Sequence, residues 1–189
     1  MGVGDLQREV EALAIARGLE IRRGDTFDWL SGLGHAEPAA QNAPPEVLER
    51  LAQIHAALGG DDTRLRGKRR QPAPVDFTLP GSTIIELDEI QHFTSARRHS
   101  LDLYESIEHN LDVDRYRELC GRYSSEADRY RRTKEARDFP FPGGRSAQRA
   151  YLDAVRDLMA PAFGHRVIRI PAIVGGADAA VAELIAALT

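Results

Sequence analysis

Three acidic residues at short spacing, Asp76, Glu86 and Asp88, are the part of this sequence best suited to chemistry. They lie in two runs of alternating apolar and polar residues around a Pro-Gly-Ser turn, which predicts a β-hairpin within residues 75–92. Because side chains alternate between the faces of a strand, we expect Glu86 and Asp88 on one face, roughly 6–7 Å apart. Two like charges this close are costly unless a cation lies between them.

The length of the hairpin loop decides whether Asp76 joins the other two acids. A three-residue loop, 80–82, pairs Leu79 with Thr83 and sets Asp76 opposite Glu86, with Cβ atoms about 5 Å apart. Oxygen ligands at that distance can share a hard divalent cation. A two-residue loop would shift the register by one, and Asp76 would then face an isoleucine. We predict the first register, because it places the carboxylates on one face and most of the bulky apolar side chains on the other.

Composition and charge indicate a globular protein. The chain has 189 residues, of which 42% are hydrophobic and 29% charged. It shows no apolar run long enough to span a bilayer and no basic-then-apolar leader pattern, and its single cysteine, Cys120, excludes an internal disulfide. We therefore expect a cytoplasmic protein without membrane contact, in which Cys120 is a buried, unreactive thiol on a helix face.

A basic run precedes the predicted hairpin, although the formal net charge of the chain is −4. Four of its members, Arg66, Lys68, Arg69 and Arg70, are candidates for contacts with nucleic-acid phosphates. The alternative for any charge run is a solvated linker. The position of this run, directly before the carboxylate hairpin, favours the functional interpretation.

Apolar periodicity predicts the elements that would position these groups. Helices are expected over 3–17, 45–58, 112–134, 146–159 and 177–188, and a strand over 165–171. On that strand Val167 and Arg169 share one face. The order of helices, hairpin, helices, strand and helix is typical of an α/β fold, a mixed sheet flanked by helices. We divide the chain into an N-terminal helical and irregular extension, 1–44, and a core, 45–189, with a helical insertion at about 95–145.

Carboxylates on one sheet face, a nearby histidine and a basic run together indicate metal-assisted phosphodiester hydrolysis. The substrate is anionic, water must be activated, and the charge on the leaving group must be stabilised; Mg²⁺ or Mn²⁺ held by carboxylates can serve all three needs. Zinc is disfavoured, because the six histidines and one cysteine show no ligand spacing.

The order of these motifs resembles the PD-(D/E)xK nuclease superfamily, whose signature is an acid followed about ten residues later by acid-x-lysine. The similarity is greatest to the branch of very-short-patch-repair endonucleases and related small domains. It is carried by Lys-Arg-Arg-Gln at 68–71, Val-Asp-Phe at 75–77, Ile-Glu-Leu-Asp-Glu at 85–89, and Gln-His at 91–92. It covers residues 65–92 and 146–188, and it implies a restriction-endonuclease-like fold.

The resemblance assigns roles to individual residues. Asp76 would be the central metal ligand and Glu86 the second acid. Asp88 stands where the wider superfamily has lysine, although the closer branch has aspartate there, and we count it as a third ligand. Gln71 would approach the site from the preceding strand. His92 would orient water or protonate the leaving oxygen.

Three functions are compatible with this pattern. The first is a Mg²⁺-dependent endonuclease that cuts DNA, with a homodimer or a partner protein if both strands are cut. The second is a catalytically inactive nuclease-fold domain that binds nucleic acid or a protein partner, which the missing lysine favours. The third is a metal-dependent enzyme that acts on another phosphate ester.

Overall fold

A four-stranded mixed sheet lies at the centre of the protein. The computed structural model describes residues 4–130 and 132–189. The strands are β1 (Arg22–Arg23), β2 (Phe77–Leu79), β3 (Thr83–Asp88) and β4 (Arg166–Pro171), in that spatial order. The first three strands pair antiparallel, and β3 pairs parallel with β4. The predicted α/β class and mixed sheet are confirmed.

Seven α-helices surround the sheet in the described part of the chain: α1 (Asp5–Ala16), α2 (Pro45–Ala57), α3 (Asp62–Arg66), α4 (Ser95–Leu101), α5 (Val113–Ala127), α6 (Gly144–Met159) and α7 (Gly176–Leu188). Most lie within two residues of the predicted bounds. Helix α5 ends seven residues before the predicted end. Helix α3 was not among the predicted helices; the side chain of Asp61 caps it by accepting a hydrogen bond from the Arg64 N–H at 2.9 Å.

The hairpin between β2 and β3 has the predicted register. Leu79 pairs with Thr83 across a three-residue loop, in which Gly81 and Ser82 have φ of 81° and 63°. Gly81 takes this left-handed conformation without a steric penalty. Asp76 precedes β2 by one residue, and the register continued by one pair sets it opposite Glu86. The chain thus brings these two acids to the same end of the hairpin.

Each face of the sheet packs against its own layer of helices. On β3 and β4 the residues Ile85, Leu87, Ile168 and Ile170 belong to an apolar cluster with α1 and α7, whereas Ile84 and Val167 belong to a second cluster with α2, α5 and α6. This division follows from the two-residue period of a strand. Glu86, Asp88 and Arg169, which share the parity of Ile84 and Val167, therefore point toward α6.

Residues from the two segments that the resemblance did not cover contribute to this core. The N-terminal segment supplies the exposed edge strand β1 and three buried residues, Val10 and Ala14 of α1 and Trp29. Helices α4 and α5 pack against each other, and α4 packs against α6. No helix in the described ranges combines the length and apolar character that crossing a membrane requires.

Candidate functional site

A cleft of about 260 Å³ lies beside the C-terminal end of β3, between the sheet and α6. The sheet side contributes Asp76, Glu86 and, just after β3, Glu89 and His92. Helix α6 contributes residues at spacings of four, three, one and three, which is one face of a helix: Arg145, Arg149, Leu152, Asp153 and Arg156. The first turn of α1 borders the cleft through Gly4 and Gln7. Asp76, Glu86 and Glu89 thus lie on one wall, and three arginines and Asp153 lie on the other.

Asp76 and Glu86 form the acidic pair of the cleft. The Oδ2 atom of Asp76 accepts a hydrogen bond from the Leu87 N–H at 2.8 Å. Burial raises the pKa of Asp76, and the Leu87 N–H opposes this. Burial also raises the pKa of Glu86, to about 8; Arg156 opposes this shift, and the Asp76 carboxylate adds to it. The pair therefore lacks enough positive charge to hold both groups ionised at neutral pH.

Arg156 lies next to Glu86 but satisfies it only in part. Its Nε atom is 3.1 Å from Glu86 Oε1, yet the N–H is not directed at the oxygen, so that both atoms are buried without a hydrogen-bond partner. The two terminal nitrogens of Arg156 donate to the backbone carbonyls of Leu152 and Pro74. Glu86, which lines the cleft, thus keeps a buried oxygen that accepts no hydrogen bond.

Asp88, predicted as the third ligand, has a different set of contacts. Its side chain is 1% exposed and does not line the cleft. Both of its oxygens accept from Nη1 of Arg169, at 2.8 and 3.0 Å, and Oδ2 also accepts from the Tyr116 hydroxyl at 2.7 Å. The guanidinium of Arg169 supplies the positive charge that the pair of β3 acids requires at this position.

His92 lies between two carboxylates at the border of the cleft. Its Nδ1 atom is 3.0 Å from Asp153 Oδ2 and 3.3 Å from Asp88 Oδ1. Burial alone would lower the pKa of His92, but the Asp153 and Asp88 carboxylates more than offset this and raise it. Asp153 in turn has a lowered pKa, because His92 and Arg169 outweigh its burial. The two carboxylates therefore favour the protonated form of His92, which lines the cleft.

Sequence reasoning missed Asp153. It lies 2% exposed on α6, the most amphipathic helix, four residues before another buried acid, Asp157. Acids at positions 153 and 157 among apolar neighbours were the available signal, because a buried acid requires a cationic partner. The partners are Arg169 and, for Asp157, also Arg97 at 2.6 Å. These contacts connect α6 to β4 and α4.

One ligand atom each from Asp88, His92 and Asp153 lies within 4.8 Å of the others, so that this trio could also hold a metal ion. To bind a metal, the Nδ1 atom of His92 would have to be free of a proton, whereas the contacts with Asp88 and Asp153 favour the protonated ring. Arg169 already contacts both carboxylates. A hard cation is better suited to Asp76 and Glu86, because Arg156 alone does not offset the burial of this pair.

The predicted phosphate-binding run, 64–70, is largely engaged within the protein. Arg66 pairs with Asp62 at 2.7 Å, and Lys68 Nζ lies 3.2 Å from Asp138 and donates to the Gly32 carbonyl at 2.6 Å. Arg70 pairs with Glu37 at 3.0 Å. Arg69 is exposed. None of the four lines the cleft among the residues that the structure describes.

Gln71 is not brought to the cleft either. Its side chain is exposed, and its carbonyl accepts from the Gly32 N–H at 2.9 Å beside the bridge between Ser31 and Pro72. Of the predicted catalytic residues, the structure thus brings Asp76, Glu86 and His92 together at the cleft. It gives Asp88 a buried supporting position and Gln71 a place on the surface. Cys120 is buried as predicted, and burial raises the pKa of its thiol to about 11.

Comparison of the chain with protein-family models, with curated proteins and with solved structures gave no match. The family resemblance of the hairpin motifs accordingly stays a prediction. The cleft combines two carboxyl groups with raised pKa, a histidine with a raised pKa and three arginines.

Proposed function

We propose that the protein is a metal-dependent nuclease that hydrolyses DNA phosphodiester bonds in the cleft between β3 and α6. The observation that supports this most directly is the acidic pair, Asp76 and Glu86, across the cleft from the arginines of α6. An anionic ester requires cationic contacts for binding and a second positive centre near the reacting phosphate. The arginines of α6 can supply the cationic contacts for binding. The pair of Asp76 and Glu86, whose burial Arg156 alone does not offset, can hold a cation as the second positive centre.

Asp76 and Glu86 are the residues that would hold Mg²⁺ or Mn²⁺. Glu86 Oε1 is buried without a hydrogen-bond partner, and the contact of Asp76 with Leu87 uses only Oδ2. Carboxylate oxygens are the donors that these hard cations prefer. When bound, such a cation acidifies water and offsets negative charge on a phosphate group.

His92 has the properties of a proton donor in this scheme. The two carboxylates beside Nδ1 raise the pKa of His92, favour the protonated ring and fix its orientation, and His92 lines the cleft. An imidazolium next to a departing oxygen can transfer a proton to it. Asp153 and Asp88 act through His92 and are therefore positioning residues.

The second candidate is a nuclease-fold domain that binds nucleic acid or a protein partner without cutting. The observation in its favour is the engagement of Asp88 by Arg169, which leaves two acids rather than three for a cation. No lysine is among the residues that line the cleft in the described chain. Such a domain would bind its ligand through the arginines of α6 but would not hydrolyse it.

The decisive experiment is a cleavage assay on plasmid and single-stranded DNA with Mg²⁺ or Mn²⁺, comparing wild type with Asp76→Asn and Glu86→Gln. We expect each variant to lose at least about a hundredfold in rate, because each removes a charge that holds the cation. The matched control is Glu118→Gln, an exposed residue on α5, which should cut at the wild-type rate. Circular dichroism and thermal unfolding verify that the variants are folded.

The possible outcomes separate the two candidates. Cutting by wild type and Glu118→Gln, with both cleft variants inactive and folded, supports the nuclease. DNA binding without cleavage, together with no heat of Mn²⁺ binding in calorimetry, supports the non-cutting domain. Equal cutting by all four proteins would exclude the acidic pair as the active site.

A further inference from the structure

Helix α6 presents a stripe of arginines to the cleft. Arg145, Arg149 and Arg156 lie at i, i+4 and i+11, on the face that lines the cleft. With a rise of 1.5 Å per residue, the stripe extends for about 16 Å along the helix axis. Arg156 lies at the inner end beside Glu86, and Arg145 lies at the exposed outer end. A single phosphate would contact one part of this stripe, whereas a chain of phosphates would follow its whole length.

The contacts of the two outer arginines differ from those of the 64–70 run. Arg145 donates to the side-chain carbonyl of Gln148, and Arg149 Nη1 donates to the backbone carbonyl of Gln91 at 3.3 Å. In the run, by contrast, Arg66, Lys68 and Arg70 contact carboxylates of the protein outside the cleft. The arginines of α6 line the cleft itself, where a phosphate chain that enters it would meet them.

An exposed aromatic ring lies beside the stripe. The guanidinium of Arg149 lies over the ring of Tyr130, 5.9 Å from its centroid, and Tyr130 is 40% exposed. A basic groove flanked by an exposed aromatic ring is the usual combination for single-stranded nucleic acid, in which bases are available to stack. In a duplex the bases are already stacked on one another and cannot use the ring.

The small volume of the cleft also favours a single strand. Its volume, about 260 Å³, is at the low end of ligand clefts, and its walls are α6 on one side and the first turn of α1 on another. Glu86, at its floor, is only 5% exposed. A cleft of this small volume with a buried acid accommodates one strand more readily than two.

We propose that the α6 stripe, with Tyr130, is the binding site for an extended single strand of nucleic acid, whose phosphates contact Arg145, Arg149 and Arg156 in succession. The inference takes the location of the site from the proposed function and adds the ligand class and the residues that recognise it. It assigns phosphate recognition to α6 instead of the 64–70 run.

The test is fluorescence anisotropy of labelled single-stranded and duplex oligonucleotides of one sequence, in EDTA and over a range of NaCl concentrations. We expect Arg145→Gln/Arg149→Gln to weaken single-strand binding about tenfold or more and to reduce the salt slope by about 1.4, since each phosphate contact on a single strand contributes about 0.7. Tyr130→Leu should weaken it about fivefold or more through lost stacking. The control, Arg22→Gln/Arg122→Gln, removes two exposed charges outside the cleft and should bind as wild type does.

Each result decides for or against the site. The site is supported if the α6 variants lose more single-strand affinity than the control variant and if wild type binds the duplex more weakly than the single strand. Equal losses in the α6 and control variants, a preference for duplex, or no binding by wild type at low salt would overturn it. Because EDTA removes divalent cations, binding is scored without cleavage. A protein that binds through α6 but does not cut in Mn²⁺ would retain this inference while the proposed hydrolysis fails.

Discussion

Burial of Glu86 makes its ionisation state depend on what else occupies the cleft. The pKa of Glu86 is about 8 in the folded protein, against an ordinary value of 4.5. Between pH 4.5 and pH 8, therefore, the folded protein keeps a proton on Glu86 that the unfolded chain has released. Stability therefore falls as pH rises through this window, because the folded state binds the extra proton. A divalent cation beside the carboxylate would remove the need for that proton.

The corresponding prediction concerns the stability of the metal-free protein. Between pH 5 and pH 8 the free energy of unfolding of wild type should fall by about 3 kcal/mol relative to that of Glu86→Gln, which cannot ionise. Urea denaturation in EDTA at both pH values measures this difference. Addition of Mn²⁺ at pH 8 should restore stability to wild type more than to Glu86→Gln, because only wild type regains a carboxylate for the cation.

Glu118→Gln, at an exposed position on α5, is the control and should follow the wild-type pH dependence. Parallel pH profiles for wild type and Glu86→Gln would contradict the raised pKa. If the stability of wild type falls with pH as predicted but does not respond to Mn²⁺, the raised pKa is supported and the cation site is not.

At the scale of elements, the basic 64–70 segment anchors the chain between α3 and β2. Lys68 reaches Asp138, which is fully buried and also accepts from Gln148 Nε2 at 2.7 Å on α6. Arg66 pairs on the surface, where it and Asp62 are 58% and 52% exposed. Similar residue types in one run thus have unequal energetic roles, because burial sets the cost of losing a partner.

We predict that Lys68→Met lowers the free energy of unfolding by about 3 kcal/mol, since it leaves the buried Asp138 carboxylate without its cation. Arg66→Gln, in the same run, should change it by no more than about 0.5 kcal/mol. Urea denaturation of the two variants at pH 7 gives both values. Equal effects would mean that the Lys68 contact has no special structural role.

At the scale of the whole molecule, a buried charged layer joins the sheet to three helices. Arg169 on β4 contacts Asp88 on β3 and both Asp153 and Asp157 on α6, and Asp157 also contacts Arg97 on α4. The Tyr116 hydroxyl of α5 donates to Asp88. The layer therefore fixes the relative positions of β3 and α6, the two elements that form the cleft.

Replacement of the central cation should weaken the entire fold. We expect Arg169→Met to lower the free energy of unfolding by about 3–5 kcal/mol, because three buried carboxylates lose their shared partner. The same substitution at Arg166, an exposed residue of the same strand, should cost no more than about 1 kcal/mol. Thermal and urea unfolding compare the two variants, and a loss at Arg169 no greater than at Arg166 would refute this role.

Local patterns in the sequence were sufficient to predict most of the longer helices and strands. The alternation at 75–88 and the Pro-Gly-Ser turn predicted the hairpin, its Leu79–Thr83 register and the faces of β3, because side-chain direction and loop length are properties of a few adjacent residues. Apolar periodicity predicted α2, α6 and α7 to within two residues. Helix α3 and the two-residue β1 were missed, because each is too short to establish a period. A homodimer, a protein partner and a cytoplasmic location stay predictions.

Only the tertiary structure decided which charged groups meet. Arg169 and Asp88 are 81 residues apart in the chain, Lys68 and Asp138 are 70 apart, and His92 and Asp153 are 61 apart. The partner of a buried charge is set by distance and by exclusion of water, and both arise when elements pack rather than from neighbours in sequence. The sequence by itself therefore determined the acidic hairpin and its register. Packing determined that Asp88 supports the site from within, that the 64–70 run is largely engaged, and that α6 provides the basic wall of the cleft.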